Sequence, residues 1–339
     1  MAPRIVAGPV PGTTWTTDEP AAAGLDRAAL ETFAKAIGGR GVVVRHGRLV
    51  FSWGDAARRG DIASAAKPLY GHFLFKAVAT GRLGSLDVPA VTYAPGLATL
   101  NPALDFKDRR ITFRHFATQT SNYGVSEAPG AAFDYNDWQM ALFWDTLFLG
   151  VWRSSLADVD RDVLDRELCT AIQCEDDPTL LAFGPNDRAG RVAISPRDLA
   201  RFALLYLRGG KWNGTTVLPA AMIRESLHSP LPNSVPQTTG IAAPMLPGQR
   251  TIGSTRVPDN QTDHFGSYSF MWWVNGIDRT GRRLLPDAPP DAFMASGHGA
   301  RRAAAVIPSL DLVASWNDTT INGWPAANAA LKALLASVK

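Results

Sequence analysis

Cysteine is nearly absent. The 339 residues hold two, Cys169 and Cys174, which is too few for a disulfide framework. Sequence alone reads them as two incidental thiols, with pairing as the alternative. Long apolar runs are missing too, and none approaches the roughly 18 continuous apolar residues of a membrane span. The opening stretch, MAPRIVAGPVPGTTWTTDEP, has no apolar segment of the secretory kind, so a cytoplasmic protein is expected. Net charge is small: 34 Lys and Arg against 31 Asp and Glu leave +3. No basic stripe tracks a phosphate backbone, so neither nucleic acid nor membrane is an expected partner. His72, His228 and His264 have no companion at metal-ligand spacing, and no catalytic zinc is expected. Glu175-Asp176-Asp177 reads as a solvated loop. Gly38–Gly41 is too short for a phosphate loop. Internal repeats and low-complexity tracts are likewise missing.

What is present is a hydrophobic content of 46%, too apolar for a disordered chain, in a length that can bury a substantial core. Residues 1–24, rich in Pro, Thr and Gly, read as an extended arm. Asp26 then stands as N-cap before RAALETFAKAI, where Leu30, Phe33, Ala34 and Ile37 recur at helical spacing and Gly38-Gly39 form the stop. Val42–Arg45 and Arg48–Trp53, separated around Gly47, predict a hairpin turning at His46. Leu69, Phe73, Ala77 and Val78 predict a helix ending at Gly81. Pro68 is tolerated only in a first turn, so that helix must begin near Ser64. From about 85 to 250, short helical patterns alternate with Pro- and Gly-rich loops. The clearest helix there is PRDLARFALLYLRGG. Strands return in YSFMWWVN, Arg302–Ile307 and Asp311–Trp316, and a helix over Ala326–Ser337 closes the chain. The expected fold class is therefore α+β, with an antiparallel sheet assembled from both ends (25–75 and 190–339) and a helical region at 76–189.

One short pattern carries chemistry. In Ser64-Ala65-Ala66-Lys67 the hydroxyl and the amine stand three residues apart, on one helical face. A serine hydroxyl needs a base to become nucleophilic. An apolar setting would lower the lysine pKa and let it act as that base. The pattern alone is weak, because short motifs recur by chance. Elsewhere, His115 reads as a packed histidine, and Trp138, Trp144 and Trp152 as core. Of Trp272 and Trp273, on a strand, one should face the core and the other a cleft.

Order adds specificity. ITFRHFATQTSNYG, FDYNDWQMALF, GRVAISPRDLARFALLYLRGGKWNG, YSFMWWV and ASGHGARRAAAVIPSLDLVASWND follow Ser64–Lys67 in turn. From about residue 25 to its end, the chain resembles the serine β-lactamase-like superfamily. The branch is that of class C β-lactamases, family VIII esterases and 6-aminohexanoate-dimer hydrolases, in which S-x-x-K is a signature. The resemblance implies a β-lactamase/transpeptidase-like fold and a Ser64 acyl-enzyme, with Lys67 and Tyr135 moving protons and no metal or organic cofactor. Asp137 falls where the family usually carries asparagine. An ionised carboxylate only accepts hydrogen bonds, so Asp137 either holds Lys67 protonated, shifting the base role to Tyr135, or selects a substrate with an amine. Gly297-His298-Gly299-Ala300 falls at the family's Lys-Thr-Gly strand, with His298 in the Lys position. His298 would orient Tyr135 or the substrate. The amides of Ser64 and of Ala300 or Arg301 would form the oxyanion hole. Arg301 and Arg302 either meet a substrate carboxylate or are exposed strand-edge residues. The implied partner is a small ester or amide. A β-lactam or D-Ala-D-Ala peptide, acyl transfer, and a non-catalytic binding protein are the alternatives.

Overall fold

The computed structural model describes residues 4–181 and 189–339. Residues 1–3 of the expected arm and 182–188 of the expected helical region lie outside the described residues. Helix α1 (Arg27–Ile37) begins where Asp26 accepts the Ala29 amide at 3.1 Å, and ends at Gly38 with φ 65°. Strands β1 (Arg40–Arg45) and β2 (Arg48–Trp53) follow. Their two-residue turn uses His46 at φ 53° and Gly47 at φ 73°, the left-handed pair that matches strand twist.

The remaining strands of this sheet come late in the chain. They are β3 (Tyr268–Ser269), β4 (Trp272–Val274), β5 (Phe293–Gly297), β6 (Arg302–Ile307) and β7 (Leu312–Asn317). All neighbours run antiparallel, in the order β2-β1-β7-β6-β5-β4-β3. The first hairpin thus docks on the last strand, with Val43 opposite Ala314.

Helices cover both faces of the sheet. Antiparallel strands with one solvated face alternate polar and apolar residues. Here β6 reads RAAAVI and β7 reads LVASWN, because both sides are buried. Val42, Ala304, Val306 and Val313 point into one core, and Val43, Ala303, Ala305 and Ala314 into the other. The second core is closed by α1 and the C-terminal helix, Trp324–Leu335.

The first core surrounds α2 (Lys67–Ala79), which is apolar on every side and buried from Lys67 to Phe75. A helix of that composition belongs inside a protein. Pro68 sits in its first turn, and a tight turn over Ala63–Ala66 leads into it. The helix Pro196–Leu207 packs on the same face of the sheet, with Trp272 stacked on its Phe202 at 5.8 Å.

Two sequence expectations change. Cys169 and Cys174 form a disulfide and are not free thiols. Gln173, at φ 57°, turns the chain back and brings their Cα atoms to 4.9 Å, within bonding range. Glu175 and Asp176 are not solvated. Asp176 accepts Ser195 Oγ at 2.6 Å and Arg197 Nε at 3.0 Å, and Glu175 pairs with buried Arg201. The two acids pin their loop to the start of the Pro196–Leu207 helix.

Candidate active site

Ser64 is set by what precedes it. Gly60–Asp61 pairs with the strand Ala189–Ile194, and the Ile62 amide donates to Val192 O at 3.0 Å. Ala63 then adopts φ 48°, a left-handed conformation that costs a non-glycine residue on the order of 1–3 kcal/mol. Its amide is held by Asp61 Oδ1 at 2.8 Å. The strained residue swings the chain so that Ser64 remains partly accessible while Ala65 and Ala66 are buried.

Ser64 opens onto a cleft of about 580 Å³, lined also by Lys67, Tyr135, Asp137, Arg191 and Trp273. Lys67 is 2% exposed, and its Nζ donates to Ser64 Oγ at 2.9 Å. Nζ lies 4.4 Å from the centre of the Tyr135 ring and 3.5 Å from Asp137 Oδ1. Tyr135 arrives on the segment before the helix Asp137–Trp144 and is wedged between Tyr268 and Trp273.

Asp137 is the hub of this arrangement. Its Oδ2 accepts the Ser254 amide at 2.9 Å and Gln261 Nε2 at 3.1 Å, while its own amide donates to Asp259 Oδ2 at 3.0 Å. One carboxylate therefore ties the buried amine to the loop that forms the far wall. Only an acceptor can serve all these donors, which accounts physically for aspartate in place of an amide.

The charges follow. Burial opposes a proton on Lys67, but Tyr135 and then Asp137 outweigh it, and the amine is held above its ordinary pKa. Burial likewise pushes Asp137 up, but the Lys67 cation, the Ser254 amide and Gln261 outweigh it and hold the carboxyl below its ordinary value. The pair is ionised at neutral pH. The lowered lysine pKa expected from an apolar setting is thus reversed by Tyr135 and by Asp137, in line with the first of the two roles that the resemblance implies for Asp137.

His298, Gly299 and Ala300 differ from the strand implied by the resemblance. Their φ values of 53°, 66° and 65° make them the turn between β5 and β6. His298 and Gly299 line the cleft. Among the described residues, Ala300 and Arg301 are not part of its wall. Ala300 is buried, with its carbonyl accepting from Trp316 Nε1 at 2.8 Å, and the Arg301 amide closes the turn onto His298 O. The residue pressed on the Ser64 turn is Gly297, where a Cβ would stand 2.7 Å from the Ala65 nitrogen and 3.1 Å from that of Ser64. Partial burial, then Arg302, Arg301 and Arg191, lower the His298 pKa, so its ring is neutral at pH 7 and does not replace a lysine cation.

Other wall residues escaped sequence reading. Trp324 meets Trp273 at 4.8 Å, while Ser254 and Gln261 come from positions with no motif, and Arg191 lies in the GRVAIS segment, where nothing marks its side chain as part of a site. Trp272 faces the core and Trp273 the cleft, as strand alternation predicts. Trp144 and Trp152 are core, and Trp138 Nε1 donates to Arg256 O. His115 caps its own short helix with Thr112. Among the described residues no three His, Cys, Asp or Glu side chains are grouped to hold a metal, and no helix is long and apolar enough to cross a membrane.

A Ser-x-x-Lys turn entering a buried helix, beside an antiparallel sheet built from both chain ends, defines the serine β-lactamase/transpeptidase-like fold, and this chain has it. Solved structures share the architecture across nearly the whole molecule. A Bacillus anthracis protein assigned as a 6-aminohexanoate-dimer hydrolase is 16% identical, with a TM-score of 0.62 over 98% of this chain and 87% of the other. A β-lactamase from Mycobacterium bovis is 21% identical, with a TM-score of 0.57 over 91% and 98%. A penicillin-binding protein homologue from Caulobacter crescentus is 13% identical, with a TM-score of 0.63 over 96% and 99%. At such identities the likeness is one of fold. No family model and no curated protein matches the sequence.

Proposed function

We propose that the protein is a serine hydrolase that cleaves a carboxylic ester or small amide through an acyl-enzyme on Ser64. The observation that carries this reading is the 2.9 Å hydrogen bond from buried Lys67 to a partly accessible serine at the floor of a cleft, with Tyr135 against the same amine. The names of the structural neighbours, a dimer hydrolase and a β-lactamase among them, support hydrolytic chemistry on such a frame.

Ser64 Oγ attacks the carbonyl carbon. Lys67, already charged, orients the hydroxyl by donating to it and is not the base. Tyr135 relays the proton: it takes the one from Ser64 as its own phenolic proton passes to the leaving group and the carbon–heteroatom bond breaks, so the phenol ends unchanged. The oxyanion is held by the Ser64 amide and by backbone at the end of β5, where Gly297 makes the approach possible. Water then attacks the acyl carbon, gives its proton to Tyr135, and Ser64 is released protonated. Trp273, Trp324 and Tyr135 supply an apolar wall for the organic part of the substrate.

A fluorophosphonate probe followed by intact-mass and peptide analysis tests this. The expected result is one adduct on Ser64, lost in Ser64→Ala. No adduct overturns the reading and leaves the cleft as a binding site. Nitrocefin turnover far above that of p-nitrophenyl acetate would replace the ester or amide with a β-lactam.

A further inference from the structure

We propose that Asp61 is a positioning residue for the nucleophile: one of its carboxylate oxygens holds the left-handed Ala63 in place, and the other ties the Ser64 turn to β6 through Arg302 and to the strand Ala189–Ile194 through Arg191. Its effect on rate rests on the Ser64 hydrolase reading, while its hold on the backbone does not.

Around Ala63 the backbone donors meet carbonyls. Ile62 donates to Val192 O at 3.0 Å, and Ala65 donates to Ile62 O at 3.1 Å. Ala63 donates instead to a side chain, Asp61 Oδ1, at 2.8 Å. Its φ of 48° crowds the Cβ, and a residue in that region persists only where its surroundings over-determine it. An ionised acceptor makes a stronger hydrogen bond than a neutral one. Holding the Ala63 amide fixes the plane of the Ile62–Ala63 peptide. That plane, one residue upstream, sets the direction in which the Ser64 side chain leaves the backbone.

The acid is itself anchored on three sides. Its backbone pairs opposite Ala193 in the short sheet. Its Oδ2 is gripped by Arg191 and lies 3.3 Å from Arg302. Its side chain is only 18% exposed, so water competes little for either oxygen. Arg302 opens β6 directly opposite Gly297, the residue whose missing Cβ lets β5 press on the Ser64 turn. One carboxylate therefore joins the serine turn to the strand pair whose backbone faces it across the oxyanion position. A misplacement of about 1 Å between such groups can cost on the order of a hundredfold in rate.

Fluorophosphonate labelling of Ser64, resolved into kinact and KI, tests the assignment. Asp61→Ala should lower kinact about tenfold or more and leave KI within about twofold. Asp61→Asn keeps an oxygen for the Ala63 amide and should lose less. Glycine adopts positive φ without the Cβ penalty. The loss caused by Asp61→Ala should therefore shrink at least about threefold in an Ala63→Gly background, whereas an ion pair that only stabilised the fold would cost the same in both. Amide hydrogen exchange followed by NMR reads the hold without any reactivity. The Ala63 amide should be protected in the wild type and in Ser64→Ala, and should exchange about tenfold faster or more in Asp61→Ala. Equal losses in the two backgrounds, or Asp61→Asn as impaired as Asp61→Ala, overturn the proposal. So does an Ala63 amide that exchanges freely in the wild type, a result that needs no variant to fold. The two readings fail separately: no adduct on wild-type Ser64 removes the hydrolase and leaves the exchange measurement to decide the role of Asp61.

Discussion

Replacing Asp137 by asparagine, the family's usual residue, should change how the site responds to pH. Lys67 Nζ and Asp137 Oδ1 are 3.5 Å apart, and both groups are largely buried. At an effective dielectric constant of ~20, unit charges at that distance attract by ~5 kcal/mol, or more than three powers of ten in a proton equilibrium. Without Asp137 the desolvation that opposes the Lys67 charge loses one of its two counterweights. Keeping an unpaired buried charge costs about 3–5 kcal/mol, so giving up the proton becomes the easier outcome. If the lysine cation is the working form, the alkaline limb of Ser64 acylation must move toward acid in Asp137→Asn by two pH units or more. Stopped-flow measurement of single-turnover acylation from pH 5 to 10.5 reads this directly. The wild type should hold its rate across the alkaline range and the variant should lose its own. Unchanged limbs, or a variant that accelerates as its amine is neutralised, would refute the reasoning and return the base role to Lys67.

Two further outcomes follow from other positions. Gly297→Ala sets a methyl group 2.7 Å from the Ala65 nitrogen and closer still to the Ile62 carbonyl oxygen, both backbone atoms that must shift; fluorophosphonate labelling of Ser64 should slow at least a hundredfold and the thermal midpoint should fall, and an unimpaired rate would show that β5 need not approach the serine turn so closely. Asp134 is buried, and that burial, with Asp259 and Glu127 nearby, raises its pKa from 3.8 to about 7 against the pull of Asn136 and Lys107. The native state therefore keeps a proton that the unfolded chain releases, so this group's contribution falls as pH rises from about 4 to 7 and is flat above, a loss of about 4 kcal/mol. The difference in urea-unfolding free energy between wild type and Asp134→Asn should change by that order between pH 4.5 and 8, and parallel curves would contradict it.

The sequence discloses what is local. Asp26 and Gly38 mark the ends of α1, His46-Gly47 the hairpin, and Pro68 the start of the buried helix, since each acts through its own backbone or its nearest turn. The three-residue spacing likewise brings Ser64 and Lys67 together wherever that turn lies. What escapes is set by groups remote in sequence. The charge on Lys67 depends on Tyr135 and on Asp137, seventy positions away, which residue chemistry and spacing alone do not connect to it and only the resemblance does. The acid itself is held by Ser254 and Gln261, in a loop between Pro230 and Ser267 that has no regular elements and so no periodicity to read. Arg191 looks like an ordinary strand residue until Asp61 is placed beside it. The Gly297–Ala300 stretch reads as strand by analogy, yet only Gly297 lies on β5, and the left-handed His298, Gly299 and Ala300 make a turn.

The pairing of β1 with β7 has a consequence for the life of the chain. The edge that carries the first hairpin has nothing to dock on until the residues around Ala314 have left the ribosome. The Ser64 turn, braced against β5, is therefore unsupported until more than two hundred further residues have been made. A nascent chain would carry the Ser-x-x-Lys sequence long before it carries the strand that braces it.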